Sequence, residues 1–274
     1  MNKKKFNKNP KNKYFHFAKK KKKLKSKEKK KKNNQNQNQN QNQNLSIRQI
    51  DQDNEEHFYD DFSIICLKNF NSKLKEHLIF NSKEENEKIK NESMNWFENE
   101  FHLNKPFYQI KFSNEAHKLR VDNAGGSSLQ SESLSFEILR RELGVKLVAN
   151  ELEIEYDLEY NKKTTGPKTD YACKIENTIF GVSVTRTQEK YQNGNFSNEN
   201  ASKLFMKKLK SILSSTIHVK YPQFDHQILH IWTSDAKTIP ILKEVFSQIE
   251  DSLTRNCTVL ITLASDESSS LIFK

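Results

Sequence analysis

The sequence has few cysteines, glycines and prolines for its length. Among 274 residues there are three cysteines, six glycines and five prolines, and hydrophobic residues make up 34%. Cys66, Cys173 and Cys257 lie far apart and lack the paired spacing of a zinc motif. This count and spacing argue against a disulfide-stapled secreted domain and against a structural zinc site. We expect the cysteines to act as small buried hydrophobic residues.

Long hydrophobic runs are also absent from the sequence. No stretch approaches the ~18 apolar residues that a membrane helix needs, and the N-terminal lysines are not followed by the apolar segment of a signal peptide. A mitochondrial presequence would be rich in arginine, yet the first arginine is Arg48. The sequence therefore predicts a soluble intracellular protein without a membrane partner. It also lacks the phosphate-binding glycine loops, the GxSxG elbow and the HExxH helix of several enzyme classes.

Positive charge is concentrated at the N-terminus. The formal net charge is +11. Residues 1–32 hold 17 lysines and one acid, Glu28, so the other 242 residues carry 29 basic and 34 acidic side chains. The remainder of the chain is therefore mildly acidic. This excludes a domain coated all over with positive charge, as in histone-like or ribosomal proteins.

Residues 1–44 are predicted to be a disordered tail. The dense lysines repel one another, and too little apolar surface is present to offset the entropy of ordering. A lysine run of this kind predicts a nuclear or nucleolar address, or a non-specific contact with polyanions. The alternative is a solvated tail on a cytoplasmic protein. Residues 33–44, NNQNQNQNQNQN, form a polar low-complexity spacer.

This location of charge leads to a prediction about nucleic-acid binding. The full chain should bind a polyanion with an affinity that falls steeply as salt increases, because each lysine–phosphate contact releases counterions. A chain that begins at residue 45 should bind weakly or not at all. Filter binding to a DNA duplex across a salt series measures both affinities. Tight, salt-insensitive binding by the shortened chain would show that the tail is not responsible.

Residues 45–120 are predicted to form a small helical region. The stretch FSIICLKNFNSKLKEHLIF (62–80) has apolar residues at helix-like intervals, and KEENEKIKNESMNWFENEF (83–101) is a second candidate helix. The region offers no recognisable chemistry. His57, His77 and His102 are isolated from any carboxylate or cysteine at ligand spacing, so we expect surface or partly buried histidines.

From residue 121 onward the pattern predicts a mixed β-sheet flanked by helices, an α/β (α+β) fold. Ser131 or Ser133 can cap the first helix and Gly144 can end it. The segment after Gly144 alternates apolar and acidic residues in its second half, which is typical of a half-exposed strand. The elements follow in the order helix (131–144), strand (151–160), hairpin (169–187), helix (201–217), strand (227–234), helix (239–253) and strand (258–265).

The hairpin can be given a register. If Asn177 and Thr178 form its turn, Asp170 lies opposite Thr185, and Lys174 lies opposite Gly181. One face of the hairpin is then apolar. The other face gathers the polar side chains of Asp170, Lys174, Ser183 and Thr185.

The order of elements and the polar face of the hairpin resemble the restriction-endonuclease-like superfamily, the PD-(D/E)XK nucleases. The resemblance covers roughly residues 128–265 and implies a restriction-endonuclease-like core with a divalent-metal site. In that superfamily the site is built from an acid on the first helix, an Asp entering the second strand and an Asp/Glu-x-Lys motif on the third. By this resemblance Glu137 is the helix acid and Asp170 the strand acid, and both would bind Mg²⁺. The third motif falls on Ser183 and Thr185, which replace its acid and its lysine.

This departure from the motif bears on catalysis. Serine is a neutral and weaker ligand for Mg²⁺ than a carboxylate, and the missing lysine removes a group that stabilises developing charge. Lys174 is a possible displaced lysine, and Glu153 or Glu155 a possible displaced carboxylate. The competing interpretation is a fold that has kept its shape and lost its catalysis. Without the resemblance, Glu137 is explained by an ion pair with Arg141 four residues later.

Basic side chains near the same elements are candidate nucleic-acid contacts. Arg186 follows the hairpin motif directly, and Lys203, Lys207 and Lys210 form a row on one side of the predicted helix 201–217. A charged solvent face explains the row equally well. Two functions therefore stay open. The first is a divergent nuclease-like protein, catalytically weakened or inactive, that contacts DNA or RNA and uses Mg²⁺ if it is active. The second is an α/β interaction or scaffold domain whose lysine tail is only a nuclear address.

Overall fold

The computed structural model describes residues 53–81, 95–121, 128–157, 168–187, 196–264 and 272–273, so the tail predicted at 1–44 lies outside the described residues. Residues 52–274 form one compact unit. The described strands are β1 (Asn54–Phe58), β2 (Phe62–Leu67), β3 (Trp96–Leu103), β4 (Lys146–Asn150), β5 (Glu155–Tyr156), β6 (Tyr171–Ile175), β7 (Thr178–Arg186), β8 (Val219–Tyr221), β9 (His226–Thr233) and β10 (Cys257–Leu263). The described helices are α1 (Phe70–Asn81), α2 (Asn114–Val121), α3 (Leu129–Leu143), α4 (Asn198–His218), α5 (Thr238–Phe246) and α6 (Asp251–Thr254), with a short 3₁₀ turn at Phe107–Gln109.

Eight of the strands form one mixed sheet in the order β1-β2-β3-β10-β9-β7-β6-β4. The four central strands, β3, β10, β9 and β7, run parallel to their neighbours in this group. The strands at both edges pair antiparallel. The prediction of an α/β fold with a mixed sheet flanked by helices is therefore confirmed. Strands β5 and β8 pair with each other in a separate two-stranded sheet.

Helices cover both faces of the sheet, which explains why its central strands are apolar throughout. On β9, Ile228 and Trp232 pack with the core that contains α1, α2 and α3. Leu229 and Ile231 point to the other side and pack with α4 and α5. Since successive side chains of a strand alternate between faces, a strand covered on both sides buries every residue. All residues of β9 and β10 are buried accordingly.

The helical prediction for residues 45–120 is wrong in part. Helix α1 lies within the stretch predicted as helical, but residues 54–67 form β1 and β2, and residues 96–103 form β3. Residues 82–94 lie outside the described residues. The run FSIICL was ambiguous because a short apolar segment suits a buried strand as well as a helix. These strands extend the same sheet as the downstream elements.

Helix α3 begins earlier than predicted. Ser128 precedes its first residue, so neither Ser131 nor Ser133 is the N-cap; both hydroxyls lie inside the helix and donate to backbone carbonyls. The predicted end is confirmed. Gly144 has a φ of 72°, in the left-handed region that glycine adopts most easily, and its N–H donates to the carbonyl of Arg140 at 3.0 Å.

The strand predicted at 151–160 is displaced toward the N-terminus. The sheet strand is β4, and residues 151–153 form a turn closed by Asn150, whose side-chain oxygen accepts from the N–H groups of Leu152 and Glu153. An asparagine that bonds the backbone two residues ahead favours a turn over a strand. Only Glu155 and Tyr156 then pair as a strand, β5, and residues 158–160 lie outside the described residues.

The hairpin of β6 and β7 exists, but its register differs by two residues from the prediction. Ile175 pairs with Thr178, so Glu176 and Asn177 form the turn. Glu176 has a φ of 55°, a conformation that is uncommon for any residue other than glycine. A shift of two residues keeps each side chain on its face. The apolar face is confirmed, and the shift places Ser183 rather than Thr185 across from Asp170.

Candidate active site

Asp170 lies where the polypeptide enters β6. Its backbone N–H donates to the carbonyl of Val182 at 3.1 Å, which extends the β6–β7 ladder by one residue. In return the N–H of Val184 donates to Oδ2 of Asp170 at 2.5 Å. A backbone donor orients a carboxylate and favours its charged form without pairing it with a cation. The fold therefore fixes this carboxylate at the end of the hairpin.

Two further carboxyl groups lie near Asp170. Glu132 comes from the first turn of α3, and Glu151 follows the last residue of β4. We call Glu132, Glu151 and Asp170 the acid cluster. Burial and then repulsion by Glu132 raise the pKa of Asp170 to about 7, and Glu151 adds to the rise. Burial and Glu132 likewise raise the pKa of Glu151. Carboxyl groups that oppose one another's negative charge form a site that a cation stabilises.

A lysine from another element completes this site. Lys208, on α4, donates from Nζ to the carbonyl of Val184 at 3.2 Å. Val184 is the residue whose N–H binds Asp170, and the ammonium group of Lys208 lowers the pKa of Asp170. Lys168, an exposed residue just before β6, similarly lowers the pKa of Glu151. The carboxylates thus face two lysines, neither of which lies on the expected third-strand motif.

The acid cluster offers the carboxylate oxygens that a hard divalent cation prefers as ligands. Mg²⁺ prefers oxygen ligands and is usually held by one or two carboxylates with water completing its shell. Glu132 is buried, while Asp170 and Glu151 are half-buried, so the site opens to solvent. Among the described residues, the group of three whose ligand atoms lie within 4.8 Å of one another is Glu55, His57 and Cys66. The ligand atoms of Glu132, Glu151 and Asp170 do not all lie within that distance, so a cation at the acid cluster would bind some of these carboxylates through water or after their side chains rotate.

Ser183 and Thr185 lie on the same side of β7 as the partner strand's Asp170. Ser183 is buried, and Thr185 is half-buried. The register places Asp170 beside the first of them, because Tyr171 pairs with Val182. Both side chains end in neutral hydroxyl groups, so neither supplies a charge next to Asp170. Lys208 and Glu151 supply a charged ammonium and a charged carboxylate near Asp170 instead.

Lys174 is on the same strand as Asp170 but far from it. The two residues are separated by four positions, or about 13 Å along an extended chain. Lys174 is exposed and pairs with Ile179 near the turn. It is therefore at the other end of the hairpin from the acid cluster. Glu153, considered as a displaced carboxylate, has other partners. The ammonium group of Lys118 lies 2.5 Å from one oxygen of Glu153, and the N–H of Asn150 donates to the other.

Glu137 belongs to a different network from the one predicted. Five residues separate it from Glu132, which turns the two side chains roughly 140° apart around α3. Arg140 and Arg141 donate to its carboxylate at 2.6 and 2.8 Å, and Ser113 donates from both its N–H and its hydroxyl. Burial alone would raise the pKa of Glu137, but these donors hold it below its usual value. A carboxylate so fully bonded is a structural ion, and the ion pair with Arg141 was the alternative interpretation.

The four residues predicted to contact nucleic acid differ in their surroundings. Arg186 donates to the carbonyl of Ile272 at 2.7 Å and so ties down the C-terminal residues. Lys203 pairs with Glu199 one helical turn earlier at 2.5 Å. Lys207 and Lys210 are exposed on α4, opposite its buried stripe. Among the described residues, no partner is seen for the side chains of Lys207 and Lys210.

Three residues of the site were missed from the sequence: Glu132, Glu151 and Lys208. Glu132 carried a signal, since it lies on the same helix as Glu137 and closer to the N-terminus of that helix. Lys208 is next to Lys207 of the lysine row, but its position in the row does not distinguish it from its neighbours. Nothing in the sequence placed Glu151, because a strand rather than a turn was expected there. Each comes from a separate element, so spacing along the chain could not group them.

Within the described part of the chain, no helix has the length and apolar character needed to cross a membrane.

Comparison with known proteins gives little further information. No family model matches the chain, and no solved structure matches it. The chain is 35% identical over 155 residues to the AAC-rich mRNA clone AAC4 protein of Dictyostelium discoideum. That similarity covers 54% of this chain and 22% of the other protein, so this chain spans less than a quarter of its relative's length. The relative's name refers to its mRNA clone and states no activity.

Proposed function

We propose that this protein is a nuclease-type phosphodiesterase that uses a divalent cation at the acid cluster. The observation that carries the proposal is that Val184 links Asp170 to Lys208, since its N–H binds the carboxylate and its carbonyl accepts from the ammonium group. Glu132 and Glu151, from α3 and the end of β4, lie near enough for their charges to raise the pKa of Asp170. Oxygen ligands next to a lysine are what metal-dependent phosphodiester hydrolysis requires.

The order of elements supports this proposal. Helix α3 is followed by the antiparallel strands β4, β6 and β7, then by α4 and the parallel strand β9. A helix, three meandering strands, a helix and a parallel strand are the elements that the restriction-endonuclease-like resemblance implies. Asp170 stands at the start of the middle strand of the three, where the resemblance expects the metal-binding Asp.

In this proposal the charged groups of the motif are relocated rather than lost. Glu132 takes the role that the resemblance assigned to Glu137, and Glu151 provides the carboxylate that Ser183 lacks. Lys208 takes the place of the lysine missing at position 185. Side chains from different elements can reach the same site, so a set of charged groups that is incomplete along one strand can still be complete in three dimensions.

The residues have separable roles. Asp170 and Glu132 would hold Mg²⁺, with Glu151 as an additional ligand or as a partner for bound water. A bound Mg²⁺ supplies Lewis-acid polarisation of a phosphodiester and lowers the pKa of water. Lys208 provides a positive charge that attracts the phosphate and stabilises negative charge that develops on it. Lys207 and Lys210 lie on the same helix and are the exposed groups for contact with a nucleic-acid backbone.

Cation binding tests the site independently of any reaction. Titration calorimetry with Mn²⁺ should show a binding site on the full chain that Glu132→Gln weakens by about tenfold or more, because a ligand has lost its charge. Glu155→Gln is the matched control: it removes an exposed carboxylate of β5 and should leave the affinity unchanged. Equal binding by wild type and Glu132→Gln would contradict the assignment.

The two neighbouring lysines of α4 are expected to differ in a cleavage assay. Lys208→Met should lower the rate of plasmid nicking in Mg²⁺ by roughly 100-fold, because it removes a charge at the reacting phosphate. Lys207→Met, one residue earlier on the exposed side, should change the rate by no more than about twofold at saturating DNA. The reverse order of effects would remove Lys208 from the site and assign the chemistry elsewhere.

A second candidate function rests on exposed apolar residues of α4. Met206, Leu213 and Ile217 are all exposed although they are large and hydrophobic. Such side chains favour contact with a protein partner, which is the scaffold function considered from the sequence. Failure of the wild-type protein to bind Mn²⁺ would favour this second function over the first.

A further inference from the structure

A second cluster of ligand-type side chains lies on β1, the strand at the far edge of the sheet. Glu55 pairs directly with Cys66 across the β1–β2 ladder. His57 is two residues further along β1, so it shares the face of Glu55. A carboxylate oxygen, an imidazole nitrogen and the thiol sulfur of these residues all lie within 4.8 Å of one another. The described part of the chain contains this one group of three at such a distance.

His57 is oriented from behind by a buried carboxylate. Its Nδ1 lies 2.6 Å from Oε2 of Glu142, a residue of α3 with a side chain 1% exposed. The hydroxyl of Tyr59 donates to the other oxygen of Glu142 at 2.9 Å. On the opposite side of the ring, Nε2 is 3.2 Å from Oε1 of Glu55. With Nδ1–H directed at Glu142, Nε2 is the ring nitrogen that faces Glu55. A carboxylate behind a metal-binding histidine is the usual second layer of a zinc site.

We infer that Glu55, His57 and Cys66 bind a zinc ion, with Glu142 holding His57 in the required orientation. Sulfur, nitrogen and oxygen ligands together are typical of Zn²⁺ and unsuited to Mg²⁺, which prefers oxygen alone. Zinc bonds of ~2.0–2.3 Å in a tetrahedron place ligand atoms roughly 3.3–3.8 Å apart. The half-exposed side chains of Glu55 and His57 can close that distance by rotation. Three protein ligands leave a fourth position for water or another ligand.

The electrostatics of the pocket favour a cation. Glu142 and Glu55 each place a carboxylate oxygen next to the imidazole of His57, at 2.6 and 3.2 Å. Two negative charges therefore lie beside His57, and Cys66 would add a third if it lost its proton. Binding of Zn²⁺ would compensate these charges and release the thiol proton to solvent. Because the ligands lie on both strands of the edge hairpin, the ion would also join β1 to β2.

No sequence motif indicated this site. It predicted isolated histidines, and His57 in particular was separated from any ligand at motif spacing. The three residues come from two paired strands and not from one loop. One residue separates Glu55 from His57 on β1, and Cys66 approaches them only because β2 pairs antiparallel with β1. Zinc motifs read from sequence depend on local loops, so a ligand set assembled across a ladder escapes them.

Cobalt substitution tests the site through its sulfur ligand. The full chain, treated with chelator and titrated with Co²⁺, should develop thiolate-to-cobalt charge transfer in the near ultraviolet and the visible bands of tetrahedral Co²⁺, saturating at one ion per chain. Cys66→Ser should lose the charge-transfer band. Cys257→Ser, which changes another buried cysteine outside the group, should keep it. Absence of the band in the wild type, or its loss in Cys257→Ser alone, would overturn the proposal.

Thermal unfolding provides a second measurement that does not depend on a cysteine variant. Zn²⁺ at about 100 times its Kd should raise the unfolding midpoint of the wild-type protein by roughly 5–10 °C. Glu55→Gln, a change at a half-exposed side chain, should remove most of this rise. Glu142→Gln should weaken zinc binding by about 10–100-fold while keeping the cobalt charge-transfer band, because Glu142 orients a ligand without being one. An unchanged Zn²⁺ response in Glu55→Gln would overturn the assignment.

Discussion

Arg141→Met should lower the free energy of unfolding by about 3–5 kcal/mol, because it leaves a buried carboxylate without its cation. Arg141 donates to Asp61 at 2.5 and 3.0 Å and to Glu137 at 2.8 Å. Its guanidinium also lies 4.3 Å from the ring centre of Phe62. Asp61 and Glu137 are both nearly inaccessible to solvent. Urea unfolding followed by tryptophan fluorescence measures the change, with the slope against urea expected to stay constant.

Arg140→Met is the matched control for this prediction. Arg140 also binds Glu137, at 2.6 Å, but it is 34% exposed and contacts the same carboxylate that Arg141 and Ser113 already satisfy. Arg140→Met should therefore lower the free energy of unfolding by about 1 kcal/mol or less. Equal losses in the two variants would mean that the network is not centred on Arg141.

The same network should make the stability of the protein depend on pH. Burial alone would raise the pKa of Asp61, but Arg141 and the N–H of Lys111 lower it from the ordinary 3.8. A carboxyl group with a pKa lowered by folding contributes stability above its unfolded pKa, and that contribution is lost as pH falls through the folded value. The wild-type protein should therefore lose stability below about pH 4, and Arg141→Met should show a weaker loss over the same range.

Asp170→Asn is the second change with a large expected effect, and the expected direction is stabilising. Folding raises the pKa of Asp170 from 3.8 to about 7. Such a group stabilises the protein below its unfolded pKa, and the stability is lost as pH rises through about 7. At pH 8, in the presence of chelator, asparagine should therefore raise the free energy of unfolding by about 1–3 kcal/mol after allowance for solvent screening. Asparagine retains an oxygen that accepts from the N–H of Val184.

Asp170→Asn should also remove the stabilisation of the protein by Mg²⁺. Mg²⁺ should raise the unfolding midpoint of the wild-type protein, since an ion that binds the folded state stabilises it. It should leave the midpoint of Asp170→Asn unchanged. Asp251→Asn, which alters an exposed acid at the start of α6, should behave like the wild type in both measurements. A destabilised Asp170→Asn protein in chelator would argue that this carboxylate serves the fold rather than a site.

The downstream half of the fold was predictable because its signals are local. The alternation in the hairpin, the amphipathic pattern of α4 and the apolar runs of β9 and β10 each specify one element. Gly144 ended α3 for a reason visible in the sequence. The upstream strand β2 gave a weaker signal, because nearly all of its residues are buried and its short apolar run therefore has no period that excludes a helix.

The site was only partly predictable, for a different reason. Asp170 followed from its position at the start of a strand, and the other residues did not. Glu132 and Glu137 are both acids of α3, and only the packing of that helix decides which one faces Asp170. Glu137 faces Ser113 and two arginines instead. Lys208 reaches the site because α4 lies against the end of β7, a tertiary relation that spacing along the chain does not contain.

Cleavage by the wild-type protein and by Asp170→Ala tests the central claim most directly. A circular plasmid and a single-stranded RNA, each incubated with Mg²⁺ or Mn²⁺, present the two classes of phosphodiester substrate. We expect metal-dependent cleavage of at least one substrate by the full wild-type chain, and a rate at least ~100-fold lower in Asp170→Ala. Cleavage that persists at the wild-type rate in Asp170→Ala, or no metal-dependent cleavage of either substrate by the wild type, would contradict the claim.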